Sequence, residues 1–129
     1  MKTIVPVAIA AVAALSTGAQ AQDCESSAPT PAGLVEVVRF RLAAQVNRED
    51  FVTAAADTMP ALCATQGFIG RVLSEGEDGE WMDHIRWTDA QAAQAAMAGA
   101  MENEALLPFI RSIDPNRIVL SYQVPVVLK

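Results

Sequence analysis

The chain is poor in the side chains that carry out most protein chemistry. Its 129 residues include one histidine, one tyrosine, two tryptophans and two cysteines. Cys24, Cys63 and His84 are not spaced as zinc ligands, so no metal site is expected. Nine basic residues face fifteen acidic ones, and no basic run occurs. Nucleic acid is therefore excluded as a partner, because its binding rests on neutralising phosphates. Anionic membrane surfaces are disfavoured for the same reason. There is no glycine-rich phosphate loop and no spacing that suggests a Ser-His-Asp triad. No apolar run reaches the roughly 20 residues needed to cross a bilayer.

The longest apolar run, Ile4 to Leu15, has 12 residues and follows Lys2. With Ala19-Gln20-Ala21 behind it, this is the pattern of a secretory signal peptide cut after Ala21. Asp23 stands directly before Cys24, where a lipid-anchored protein wants a small residue. Soluble export is expected, to the periplasm or beyond, with no membrane attachment after cleavage. Without Lys2, seven arginines and Lys129 are the remaining basic residues. Export to an oxidising compartment opens a Cys24–Cys63 disulfide. The alternative is a small apolar Cys63 and a loose Cys24 thiol.

Residues 22–33 are polar, carry two prolines and close on Gly33, as expected of an extended lead-in. Residues 34–129 then form one small domain. LVEVVRFRL, 34–42, alternates as a strand, with Val38, Phe40 and Leu42 on one face and Val37, Arg39 and Arg41 on the other. Asn47 caps a helix running to about Gln66, with a kink or a restart near Thr58 because Pro60 removes a backbone donor. Gly67 ends it. FIGRVLSE, 68–75, and EWMDHIRW, 80–87, are strands joined by the GEDG turn. Thr88 is read as the cap of an alanine-rich helix, with Gln91 in capping-box spacing. A short helix over 104–112, a turn at Asp114-Pro115-Asn116 and a last strand over 117–127 complete the chain.

The order is βαββαβ. Its compact solution is an α+β, ferredoxin-like fold: a four-stranded antiparallel sheet with both helices on one face. On the strand 80–87, Trp81, Asp83, Ile85 and Trp87 share one face, and Met82, His84 and Arg86 share the other. Each face mixes apolar bulk with an ionisable group. Alternation alone leaves open which one meets the helices. Both faces are expected to be covered, the second by another copy of the chain in a homodimer. Arg39, Arg41, Arg71, His84 and Arg86 are all strand residues. They form either cross-strand ion pairs at a dimer seam or a pocket for an anionic or phenolate-like ligand.

Residues 35–125 resemble the dimeric α/β-barrel proteins of the antibiotic biosynthesis monooxygenase-like superfamily. The resemblance is carried by Val35 to Phe40, the Gly67-Phe68 step, Gly79-Glu80-Trp81, and Ile85-Arg86-Trp87-Thr88-Asp89 before the alanine-rich helix. It implies a fold and, in some members, cofactor-independent oxygenation of an aromatic substrate that itself supplies electrons to dioxygen. Trp87 matches the family's strand-end tryptophan. Haem-degrading relatives place their ligating His on the following helix, which has none here, so no cofactor is expected.

The candidate catalytic residues are therefore His84, whose ordinary titration near neutrality suits a general base, together with Trp87 and Arg86. Trp81, Arg39 and Tyr122 are candidate binders of a small aromatic or anionic ligand. Two classes remain open: a small-molecule oxygenase and a non-catalytic exported binding or interaction module.

Overall fold

The structure, a computed structural model, describes Cys24 and residues 31–129. The signal peptide expected over residues 1–21 lies outside the described residues, as does most of the lead-in. Strands β1 (Leu34–Leu42), β2 (Phe68–Glu75), β3 (Trp81–Trp87) and β4 (Ile113–Gln123) form one sheet in the order β2-β3-β1-β4. Every pairing is antiparallel. Helices α1 (Arg48–Asp57), α2 (Met59–Cys63), α3 (Ala90–Ala100) and α4 (Leu107–Arg111) complete the βαββαβ order. The α+β, ferredoxin-like architecture is the one expected.

Local chemistry explains the boundaries. The Asn47 side chain accepts the Asp50 N–H at 2.8 Å, which satisfies one of the orphan donors of α1. Of the kink or restart expected near Thr58, the structure has the restart: α1 stops before Thr58 and α2 begins after it, with Pro60 in its first turn. Gly67 takes φ +86°, which costs glycine little. A Cβ at Gly67 would overlap Ala92 and the Thr88 hydroxyl, so its absence also lets α3 lie close to the sheet. Cys24 and Cys63 are joined as a disulfide, with Cα atoms 5.4 Å apart, and this ties the lead-in to the end of α2.

Three expectations are corrected. Asp89, not Thr88, caps α3, its side chain accepting the Ala92 N–H at 2.8 Å. The short helix is only Leu107–Arg111. Residues 114–116 lie inside β4, which ends at Gln123 rather than reaching residue 127. Pro115 is tolerated because β4 is an edge strand, and Asp114 accepts the Asn116 N–H locally at 2.9 Å.

The Trp81 face of β3 meets the helices: Trp81, Asp83, Ile85 and Trp87 are all buried. The core on that side has two parts. One gathers Leu34, Ile85, Trp87 and Ala93. The other gathers Phe40, Phe51 and Trp81. In the second, Phe51 meets Trp81 edge-on at 4.7 Å between centroids and stacks on Phe109 at 5.3 Å. The opposite sheet face carries Val35, Val37, Arg39, Val72, Met82, His84, Arg86 and Val119. Val72 and Val119 there are 61% and 58% exposed.

Candidate functional site

The sheet divides the residues singled out in the sequence. His84, Arg86 and Arg39 lie on the open face, whereas Trp81, Trp87 and Tyr122 lie on the helix side. His84, Arg86 and Trp87 therefore do not converge on one pocket, because successive strand residues point to opposite faces. Arg39 binds Glu80 at 3.3 Å and Arg41 binds Asp78 at 3.2 Å. Arg39 and Arg41, two of the arginines that the sequence grouped, are thus engaged with the turn between β2 and β3. Arg71 leaves that group altogether: it pairs in register with Ile85, on the helix side. Trp81 is a core residue of the aromatic cluster, packed by Phe51 and Leu73.

Between the two apolar clusters runs a polar diagonal that crosses all four strands: Arg71 on β2, Asp83 on β3, Glu36 on β1 and Tyr122 on β4. Its two ends differ. Arg71 and Asp83 form a bidentate pair, Nε to Oδ1 at 2.8 Å and Nη2 to Oδ2 at 2.7 Å, with both side chains about 5% exposed. Arg71 Nη1 also donates to the Thr58 hydroxyl at 2.7 Å and to the Ala55 carbonyl. Its guanidinium lies 4.8 Å from the centre of the Phe109 ring. The break between α1 and α2 thus supplies acceptors to the ion pair.

Glu36 sits at the other end. It is buried, and its Oε1 accepts the Trp87 indole N–H at 2.9 Å. No cation pairs with it among the described residues. Desolvation by burial pushes its carboxyl above the ordinary carboxylate range, and the nearby Asp83 charge adds to this. The indole hydrogen bond opposes the shift. Tyr122 stands directly opposite Glu36 in the ladder. Burial, and then the Glu36 charge, raise its phenol, so it remains a neutral donor.

Glu36 and Trp87 open onto a cavity of about 290 Å³ between the sheet and α3. Leu62 and Thr65 form one wall, Asn103 lies at the rim, and Ala95, Ala96, Gly99 and Ala100 form the roof. A second, apolar hollow of about 360 Å³ shares Leu62, Met97, Ala100 and Leu106 with it and runs on to Phe109 and Ile118. The cleft is open along β4, where Ile118, Leu120 and Tyr122 are each about two-fifths exposed. It offers one carboxylate, one positioned indole and a long apolar floor. That set can accept a proton from a flat apolar molecule and hold its rings. Among the described residues no group of His, Cys, Asp and Glu could hold a metal ion.

Glu36 was missed as a site residue, although its signal is legible. It has the same parity as Val38, Phe40 and Leu42, so it is a lone carboxylate on the apolar face of a strand, an arrangement that is costly without a purpose.

No protein-family model matches the sequence, and no curated protein matches it either. Solved structures do match. SnoaB of Streptomyces nogalater, a cofactor-independent oxygenase, aligns over 77% of this chain and 96% of its own, with a TM-score of 0.54 and 18% identity. The ActVA-Orf6 monooxygenase of Streptomyces coelicolor, solved with nanaomycin D, aligns over 76% and 91%, with a TM-score of 0.56 and 20% identity. A Bordetella bronchiseptica protein named as an antibiotic biosynthesis monooxygenase aligns over 74% and 99%, with a TM-score of 0.60 and 12% identity. The chain has the antibiotic biosynthesis monooxygenase fold. In this monooxygenase fold, the Glu36–Trp87 cleft lies between the sheet and the helix that follows β3.

Proposed function

We propose that the chain is an exported, cofactor-independent monooxygenase acting on a small phenolic aromatic bound in the Glu36–Trp87 cleft. One observation carries the reading: a buried carboxylate with no cation beside it, its acidity weakened by burial, lining a ring-sized cavity that adjoins an apolar hollow. Such a group is a stronger base than an exposed glutamate. The Trp87 indole holds one carboxylate oxygen, which orients the other toward a ligand. The likeness to oxygenases that act without a cofactor supports the reaction class.

In this scheme Glu36 takes the phenolic proton. The resulting anion passes electrons to dioxygen, which enters as co-reactant, and the adduct forms at the ring carbon para to the oxygen. The one hydrogen on that carbon passes as a proton to the outer oxygen while the O–O bond breaks, which leaves a carbonyl. The hydroxide released takes back the proton held by Glu36 and leaves as water. For 1-naphthol, one dioxygen is consumed per naphthoquinone and water formed.

The export signal and the Cys24–Cys63 disulfide support an oxidising compartment. The exposed valines of the open sheet face support a homodimer in which two sheets shield each other. Sedimentation of the processed protein at low concentration tests the dimer; a stable single subunit would refute it.

Oxygen uptake with 1-naphthol, without added metal or flavin, tests the activity. Glu36→Gln is expected to lower kcat by about 10²- to 10⁴-fold while the protein stays folded. Undiminished turnover in that variant would remove Glu36 from the reaction. Absence of turnover in the native protein would leave the non-catalytic binding module as the reading.

A further inference from the structure

The cleft also states which ligands it refuses, an inference that rests on the reading of the cleft as the ligand site. The groups facing Glu36 can be taken element by element. β3 presents Asp83, whose charge is met by Arg71. β4 presents Tyr122. The α3 surface over the cavity is Ala95, Ala96, Met97, Gly99 and Ala100, with no charge at all. α2 and its exit contribute Leu62 and Thr65, and the Thr65 hydroxyl donates to the Ala61 carbonyl at 2.8 Å. The loop after α3 contributes Asn103 and Leu106. None of these is a cation. The Arg71 guanidinium, on the same face of the sheet, is already committed to Asp83, Thr58 and Ala55. The adjoining hollow is lined by Thr58 and apolar side chains throughout.

We infer that the cleft selects ligands by charge: it takes an uncharged aromatic that donates one hydrogen bond to Glu36, and it excludes aromatic carboxylates of the same size. The physical reason is that a buried anion needs a partner. A ligand carboxylate would enter beside Glu36 with nothing to neutralise either charge. A ligand hydroxyl instead supplies the donor that the carboxylate lacks. The anionic ligand admitted by the sequence reading is thereby assigned away from this cleft.

Calorimetric titration under nitrogen, with 1-naphthol and 1-naphthoate as probes, tests the inference with no turnover in play. The native chain is expected to bind 1-naphthol at least about tenfold more tightly. Glu36→Gln is expected to bring the two affinities within about threefold, because the opposing charge is gone. Met97→Lys, at a half-exposed position on the cavity wall, is expected to shift preference toward 1-naphthoate. Equal binding of the probes by the native chain, no binding of either, or an unchanged ratio in both variants would overturn the inference. Selective binding of 1-naphthol that is never oxidised would leave the inference standing and sink the oxygenase reading, so the two failures are distinct.

Discussion

Asp83 and Glu36 are carboxylates on the same sheet face, on neighbouring strands, and both are buried. Asp83 is met by a guanidinium through two hydrogen bonds, and that guanidinium is held in turn by the helix break at Thr58. Glu36 has an indole N–H and a cavity. The contrast separates a carboxylate that holds the fold together from one that, in the proposed function, is kept for a ligand. Burial alone does not distinguish them; the partner does.

The largest test of that contrast removes the partner. Arg71→Met strands the Asp83 charge in the core and is expected to cost about 3–5 kcal/mol in urea denaturation. Replacing both residues, Arg71→Met with Asp83→Leu, should recover most of that loss, since no buried charge remains. A small loss in the single variant would mean that Asp83 does not depend on Arg71.

Trp87→Phe acts at the other end. It removes the only hydrogen bond to Glu36 among the described residues, at an expected cost of about 1–3 kcal/mol. It should also push the Glu36 carboxyl still higher, because the indole is the group that lowers it. Carbon-13 titration of the glutamate side chains reads this directly.

Glu36→Gln is expected to change stability with an unusual pH signature. Glu36 holds its proton more tightly in the folded chain than at its ordinary value near 4.5. Between the unfolded and folded values the native state binds more protons, so stability falls as pH rises through that window. Above the window the penalty is constant. The amide has no such term, so the variant should gain on the native chain as pH climbs past 4.5, by denaturation curves at several pH values. A gap that closes with rising pH would contradict the desolvated carboxyl. The smallest effect belongs to Tyr122→Phe. Its side chain is exposed and makes no hydrogen bond among the described residues, so stability should move by less than about 0.5 kcal/mol.

Much of the scaffold was legible because it is written in local patterns. Alternation marked both ends of β2, Asn47 marked the start of α1, and Pro60 marked the break. Local signals misled where the environment overrode them. Asp114-Pro115-Asn116 has turn chemistry, yet an edge strand can accommodate a residue without a backbone donor. The site was harder to read. Both faces of β3 carry ionisable and bulky groups, so alternation cannot orient the strand, and His84 and Arg86 fell on the side away from Trp87. The companion of Trp87 lies 51 positions earlier, at Glu36, and only the antiparallel register brings the two together. Strand parity still marked Glu36 as anomalous, because a carboxylate among Leu34, Val38 and Phe40 has to be accounted for.

The bareness of α3 has one more consequence. Ala95, Ala96, Gly99 and Ala100 put methyl groups or single hydrogens over the cavity, and a Cβ added at Gly99 meets nothing within 4 Å. Gly99 can therefore gain bulk without disturbing the sheet, whereas Ala96 already packs against the Trp87 cluster. Under the proposed function, the room left for a ligand is adjustable at that position, from a helix that lines the cavity with no charged side chain. Under the same reading, divergence toward larger or smaller ligands would be recorded along that helix, while the strands beneath it stayed the same.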